Sequence, residues 1–302
     1  MTAPAGVPLH RYTPALGTAA VAVLWGTSGV LVRESALSAA AIAFGRAAVG
    51  AAALGVWELA LPKRPRRGGV HNYGRSAVRS LFWSGALLAV HWLTFVMALQ
   101  RAPIGTVLLG IYLAPLAVAA LARRTLQERV TPIQVMSLAL ALGGSAFVLQ
   151  PGQTGGGDGL ALIAVSALAY AGSMLASKKA LDTVPPARVA AGQLATVTVL
   201  LAPLLALDPP APTRADVLVI SILGLVYSAL ALLAYLAFLR RLSATASGIL
   251  LYLEPVSALI AGWVFLGERP ASLTWLGASL VLLSGVLVTR EAVVKDAPSR
   301  AS

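Results

Sequence analysis

Apolar residues run along this chain in long blocks, and ten blocks approach the roughly 20 residues a helix needs to cross a bilayer. They fall at about 14 to 32, 37 to 61, 80 to 99, 104 to 122, 132 to 149, 159 to 177, 187 to 207, 216 to 239, 245 to 266 and 273 to 289. The connections are short and polar, the longest being KRPRRGGVHNYGRSAVR at 63 to 79. No segment between the blocks is large enough to house a soluble domain. The expected architecture is therefore an all-α integral membrane protein of ten transmembrane helices. The first block follows a short tail with His10 and Arg11, and the nine spans behind it favour a retained helix over a cleaved leader.

The blocks are organised as a duplication. The segment from Leu99, LQRAPIGTVLLGIYLAPLAVAALARRTLQERVTPIQVMSLALAL, is echoed about 140 residues later by LRRLSATASGILLYLEPVSALIAGWVFLGERPASLTWLGASLVL from Leu239. Overlaid without a gap, they match Leu99 with Leu239, Arg101 with Arg241, Tyr112 with Tyr252, Leu113 with Leu253, Pro115 with Pro255, Glu128 with Glu268 and Arg129 with Arg269. Five spans per copy is an odd number, so the second copy is expected upside down: two inverted five-helix repeats, 14–150 and 159–290, joined by the glycine-rich PGQTGGGDG at 151 to 159. Inverted repeats with interrupted helices are characteristic of secondary carriers that rock about a midplane site.

Composition agrees, with 58% hydrophobic residues, 11% charged residues and a mean hydropathy of +0.82. The net charge of +12 would suggest a nucleic-acid partner if it were spread over a soluble surface, but its placement gives another meaning. With the N-terminus inside, Arg33, Arg101, Arg214 and Arg269 fall in outer segments and Arg46 within a span; the remaining lysines and arginines are cytoplasmic. The positive-inside rule then puts both termini in the cytoplasm of an inner-membrane protein, with some attraction to anionic lipid headgroups and no nucleic-acid partner. The chain has no cysteine, which removes disulfides and thiolate chemistry.

The stretch LEPVSALIAGWVFLGERPASLTWLGASLVLLSGVLV, 253 to 288, has a proline-bearing helix, a Gly-Glu-Arg turn and a glycine-rich closing helix. The first copy shows the same grammar in YLAP at 112 to 115 and QER at 127 to 129, and begins with WGTSGV at 25 to 30. Over about 14 to 290 the chain thus resembles the EamA-type repeats of the drug/metabolite transporter superfamily. The resemblance implies a secondary transporter, in the export direction, for amino acids, other metabolites or drugs.

Charge at mid-bilayer is costly and marks candidate function. Arg46 lies roughly 14 Å from the outer end of its span at about 1.5 Å rise per residue, and Glu254 lies at similar depth from the inner end of its own. Either they face a shared cavity, where one cation and one anion suit a zwitterionic substrate or a coupling proton, or they pair with each other as structural glue. Aligning FGR at 44 to 46 with AGQ at 191 to 193 sets Gln193 opposite Arg46, and Ala114 stands opposite Glu254.

His91 is also at mid-depth, as a proton relay, a substrate ligand or a helix-to-helix hydrogen bonder. Trp25, Tyr112 and Tyr252 are candidates to line the cavity, ahead of Tyr170 and Tyr235 at the same depth, with plain packing as the alternative. Pro115 and Pro255 each remove a helical hydrogen bond and are read as hinges or gates. Glu128 and Glu268 are expected to cap the helix that follows and to pair locally. Gly105 with Gly110, and Gly143 with Gly144, are expected to allow close helix packing.

No Walker loop is present, and His10, His71 and His91 are scattered, so neither an ATP-driven pump nor a metal site is read here, and no cofactor is expected. A multidrug or cationic-compound exporter is the alternative within the transporter class. An intramembrane enzyme or a scaffold stands outside it.

Overall fold

The computed structural model describes residues 12–33, 35–60, 73–101, 107, 111, 114–149, 156–209, 211–266 and 272–295. Among these the regular structure is helical, with no strand. In chain order the helices are α1 (Thr13–Gly26), α2 (Ser28–Arg33), α3 (Ala39–Ala60), α4 (Arg75–Leu99), α5 (Ala114–Thr125), α6 (Pro132–Leu149) and α7 (Gly156–Ala180). They continue with α8 (Pro186–Leu207), α9 (Arg214–Ile222), a π-helical segment (Leu223–Leu230), α10 (Ala231–Leu239), α11 (Ala244–Leu250), α12 (Leu253–Leu266) and α13 (Ser272–Lys295).

Eight helical stretches among the described residues are long and apolar enough to cross a membrane, taking α1 with α2, α9 through α10, and α11 with α12 as continuous spans. Pro132–Phe147 is a shorter apolar helix. Of the block expected at 104 to 122, only Val107, Ile111 and the stretch from Ala114 lie within the described residues. The outer surface is apolar, with Val56, Leu59, Leu168, Val199, Leu207, Leu230 and Phe265 all exposed. Helices apolar on their outward side belong in lipid, and the chain is a multi-pass membrane protein.

Packing is held by small residues where backbones meet. α4 lies along α7 and α8, α3 along α8, and α6 along α13. α1 lies against α10 and α12, the π segment against α3, and α5 against α7 and α11. A Cβ on Gly144 would stand 2.6 Å from the Gly277 carbonyl oxygen, so the α6–α13 crossing depends on that glycine, whereas Gly143 beside it faces open space. Gly105 and Gly110 lie outside the described residues.

Glu128 acts differently from expectation. Its carboxylate accepts from the Ala244 backbone N–H at 2.9 and 3.0 Å, capping α11 rather than α6. The N-terminus of α6 is already satisfied by a capping box, in which Gln134 N–H donates to Thr131 Oγ1 at 3.2 Å and Thr131 N–H to Gln134 Oε1 at 3.3 Å. Gln127 directs Glu128 away by adopting φ 56° in a left-handed cap where Glu128 N–H bonds back to the Ala122 carbonyl. The second copy carries Gly267 at the matching position, the residue that conformation favours. Glu268 lies outside the described residues. On the same turn, Lys178 donates to the carbonyls of Leu239 and Leu242, so α7 and the α5–α6 connection together hold the link between α10 and α11.

At the other membrane face, buried Asp216 accepts from Ser35 Oγ at 2.7 Å, the Ala36 N–H at 3.3 Å, and Thr213 N–H and Oγ1 at 2.9 and 2.7 Å. It caps α9 while tying down the link between α2 and α3. Asp216→Ala strips all four bonds, and bonds to a charged group contribute about 1.5 to 3 kcal/mol each before redundancy. A destabilisation of about 2 to 3 kcal/mol is expected, read as a lowered unfolding midpoint of the purified protein in detergent.

Candidate functional site

The helices enclose a cavity with roughly 1000 Å³ of empty space, counted out to its mouth. Its walls are stripes at helical spacing: Leu88, His91, Trp92 and Phe95 from α4; Tyr170, Ser173, Met174 and Ser177 from α7; and Leu232, Tyr235 and Leu236 from α10. Such i, i+3, i+4, i+7 sets fall on one face of a helix. Trp25, Ser28, Arg46, Ile111, Pro115, Gln193, Tyr227, Leu251 and Glu254 complete the lining.

Arg46 projects from α3 and is held on two sides. Its Nε donates to Ser228 Oγ at 3.0 Å, and its Cζ stands 4.1 Å from the centre of the Trp92 ring, within cation–π range. Ser228 gives its own proton to the Leu223 carbonyl at 2.9 Å, so toward Arg46 it can only accept. That geometry rests on the π segment, whose wider turn sets Ser228 over a carbonyl five residues back. The same segment offers the Tyr227 carbonyl to Trp25 Nε1 at 3.0 Å and the Tyr227 hydroxyl to Thr27 Oγ1 at 2.7 Å. The remaining guanidinium nitrogens of Arg46 make no hydrogen bond with described residues.

Glu254 sits where two helices meet end to end. α11 stops at Leu250, and the chain turns at Leu251 and Tyr252, with Tyr252 N–H bonding to Ile249 O at 3.1 Å and Glu254 N–H to Leu251 O at 3.0 Å. α12 then restarts with Pro255 in its first turn, where a missing N–H costs nothing. Glu254 accepts no hydrogen bond from any described residue. Arg46 and Glu254 line the same cavity, yet no ion pair joins them; among the described residues the ion pair is Arg188 with Glu58 at 3.8 Å.

His91 makes the helix-to-helix contact and also faces the cavity. It lines the cavity, and its Nδ1 lies 2.9 Å from Ser166 Oγ on α7, with Tyr170 at 4.8 Å and Phe95 at 5.8 Å between ring centroids. Gln193 donates from Nε2 to Ser177 Oγ at 2.8 Å.

Of the residues singled out in sequence, Trp25, Arg46, His91, Pro115, Gln193 and Glu254 meet at this cavity. Tyr252 does not. It is fully buried in a separate cluster with Ala15, Leu138, Ile249 and Val281, because Leu251 and Glu254, three apart, take the cavity face and Tyr252 points away. Tyr112 lies outside the described residues. Pro255 is buried behind the break. Tyr170 and Tyr235, ranked behind Tyr252 by sequence, line the wall, with Tyr235 5.2 Å from Trp25 between ring centroids. Trp92, Ser173, Ser177, Tyr227 and Ser228 were missed; the spacing of polar and aromatic residues around His91 and Tyr170 was the available signal for the α4 and α7 stripes.

A helical membrane bundle around an open-mouthed cavity, largely apolar with a few polar and charged side chains, is an architecture suited to transport. The EamA-like transporter family matches the chain twice, over residues 13–150 and 158–290, and the chain belongs to that family. It is 28% identical over 209 residues to a protein of Rhizobium johnstonii named riboflavin transporter, covering 67% of each chain. It is 32% identical over 196 residues to a probable terminal-alkyne amino-acid exporter of Streptantibioticus cattleyicolor, covering 62% of this chain and 65% of that one. These alignments span about two thirds of either relative. The uncharacterized transporter YwfM of Bacillus subtilis aligns at 28% identity over 93% of this chain and 95% of its own. A crystal structure at 21% identity superposes with a TM-score of 0.78 over 92% of this chain and 99% of the other, which shows a shared fold. The chain is a membrane transporter.

Proposed function

We propose that this transporter resides in the inner membrane with both termini in the cytoplasm and exports amino acids or related small zwitterionic metabolites by alternating access. The observation that carries this reading is that Arg46 and Glu254 line one cavity without an ion pair between them. One fixed cation can take a substrate carboxylate, and one fixed anion can take an ammonium group or a proton. The cavity lies between two inverted repeats, 14–150 and 159–290. The contacts support that organisation, since α4 with α7 corresponds to α10 with α1, α5 with α7 to α12 with α1, and α4 with α8 to the π segment with α3. Both prolines fall in first turns, Pro115 of α5 and Pro255 of α12, and remove no helical bond; the hinge is instead the break between α11 and α12 that Pro255 follows, with Pro115 at the matching position. The name of the amino-acid exporter relative agrees with the substrate class.

A second reading is favoured by the aromatic walls. Trp25, Trp92, Tyr170, Tyr227 and Tyr235 around Glu254 would also suit a flat or cationic compound, and one relative is named a riboflavin transporter.

Counterflow in proteoliposomes against a panel of amino acids, flavins and cationic dyes separates the two. Saturable exchange of an amino acid supports the first reading, and exchange of dyes or flavins alone supports the second. Proton coupling gives a further expected result. If Glu254 carries the proton inward as substrate leaves, acidifying the external side accelerates export by wild type. Glu254→Gln should then lose that acceleration while retaining binding of an amino acid within about tenfold, the scale of one neutralised contact. Export by Glu254→Gln that still follows the pH gradient would exclude this residue as the carrier.

A further inference from the structure

The Gln193 amide is oriented by two serines that have already committed their protons. Ser177 Oγ donates to the Ser173 carbonyl at 2.6 Å, and Ser173 Oγ donates to the Ser84 carbonyl at 2.7 Å. A serine hydroxyl holds one proton. Toward Gln193 both can therefore only accept, which they do from Nε2 at 2.8 Å for Ser177 and 3.5 Å for Ser173. A flipped amide would bring its oxygen against oxygens with no proton to share, so the network assigns the orientation. Nε2 faces the serines, and Oε1 is left buried without a hydrogen-bond partner among the described residues.

A buried acceptor with nothing to accept is rare in native proteins, because its desolvation is uncompensated. Here it belongs to a side chain of the cavity wall. It also stands at the position that the repeat alignment pairs with Arg46, whose guanidinium can donate but never accept. The two matched positions thus place side chains of opposite hydrogen-bonding polarity in the lining of one cavity. We propose that Gln193 is the hydrogen-bond acceptor of the transport cavity and recognises the N–H donors of a substrate's ammonium or amide group. This rests on the cavity being the transport site for a zwitterion, and it adds a requirement that charge alone does not impose: the cationic end must carry N–H groups.

An N-methylation series tests it, because the amine, N,N-dimethyl and N,N,N-trimethyl forms of one amino acid keep the same charge while losing donors. The readout is the half-saturating concentration for counterflow, checked by quenching of cavity tryptophan fluorescence in the purified full chain. In wild type, the trimethyl form should bind about 10- to 100-fold more weakly than the amine, the range for a bond to a charged donor. Gln193→Met, similar in length but unable to accept strongly, should flatten the series to within about threefold. Ser177→Ala keeps the amide but frees it to turn, and should reduce the discrimination part-way, which keeps the assignment testable should the methionine variant fail to fold. Undiminished discrimination in Gln193→Met would mean that shape or Glu254 rejects the methyl groups, and would overturn the proposal while leaving the amino-acid reading intact. Failure of wild type to exchange any member of the series would overturn that reading, and this assignment with it.

Discussion

Arg46→Gln is expected to reduce amino-acid counterflow by about 100-fold or more. Bonds from a guanidinium to a carboxylate contribute about 1.5 to 3 kcal/mol, and each 1.4 kcal/mol is roughly a decade of affinity, so losing a two-pronged contact removes about two decades or more. The effect is enlarged by Glu254, which would then stand in the cavity without an opposing charge. Arg46→Lys separates charge from geometry. Lysine restores the charge but has no counterpart to the Nε that Ser228 accepts at 3.0 Å, and no planar group to lie over Trp92. A lysine ammonium is a mobile point charge on a flexible stem, and the variant is expected to recover no more than about a tenth of wild-type exchange. Measurement is by counterflow beside an unfolding midpoint, since a variant that melts normally yet exchanges nothing has lost the site and not the fold. Exchange of a cationic dye that survives Arg46→Gln, with no amino acid exchanged by wild type, would shift the function to the second reading.

The residues that sequence located best are those whose chemistry conflicts with lipid. Arg46 and Glu254 stand out because charge at mid-depth needs a reason, and Gln193 stands out because the repeat alignment sets it opposite Arg46. Depth along a helix, however, says nothing about direction around it. Tyr252, Tyr170 and Tyr235 lie at similar depth, yet Tyr252 falls off the face that Leu251 and Glu254 share and packs away from the cavity that the other two line. In soluble helices apolar periodicity reveals direction, but these helices are apolar on the outside as well, so the stripes of α4 and α7 show only as sparse polar and aromatic residues.

Ser228 was hidden for a different reason. Its role depends on the π segment from Leu223 to Leu230, and a widened turn inside LGLVYSAL leaves no proline or glycine pair to announce it. Glu128 was read as a local cap because its sequence neighbours permit one. The structure instead uses it on the first turn of α11, a partner 116 residues away along the chain. Local rules describe which groups need satisfying, and the bundle decides which distant group does it.

Gly26→Val is expected to cripple transport through a contact that carries no charge. Gly26 closes α1 against the start of α12, and a Cβ there would lie 1.8 Å from Ser257 Oγ and 2.3 Å from the Glu254 carbonyl oxygen. The serine could rotate aside, but the carbonyl belongs to the turn that carries the Glu254 side chain and cannot yield without moving it. Overpacking of this kind costs about 1 to 3 kcal/mol. Here the cost falls on the helix junction that carries Glu254 into the cavity that Arg46 also lines. Counterflow should fall at least about tenfold, with a lowered unfolding midpoint, and Gly26→Ala should show the same direction to a smaller degree. Ser257→Ala added to Gly26→Ala removes the nearer clash and keeps the backbone one, so only partial recovery is expected. Gly29, three residues on in the same WGTSGV motif, has nothing within 4 Å of its added Cβ, and Gly29→Ala should transport normally. Equal loss from both alanine variants would mean that this motif needs glycine for flexibility; loss confined to Gly26 would mean that it needs the close approach to Glu254.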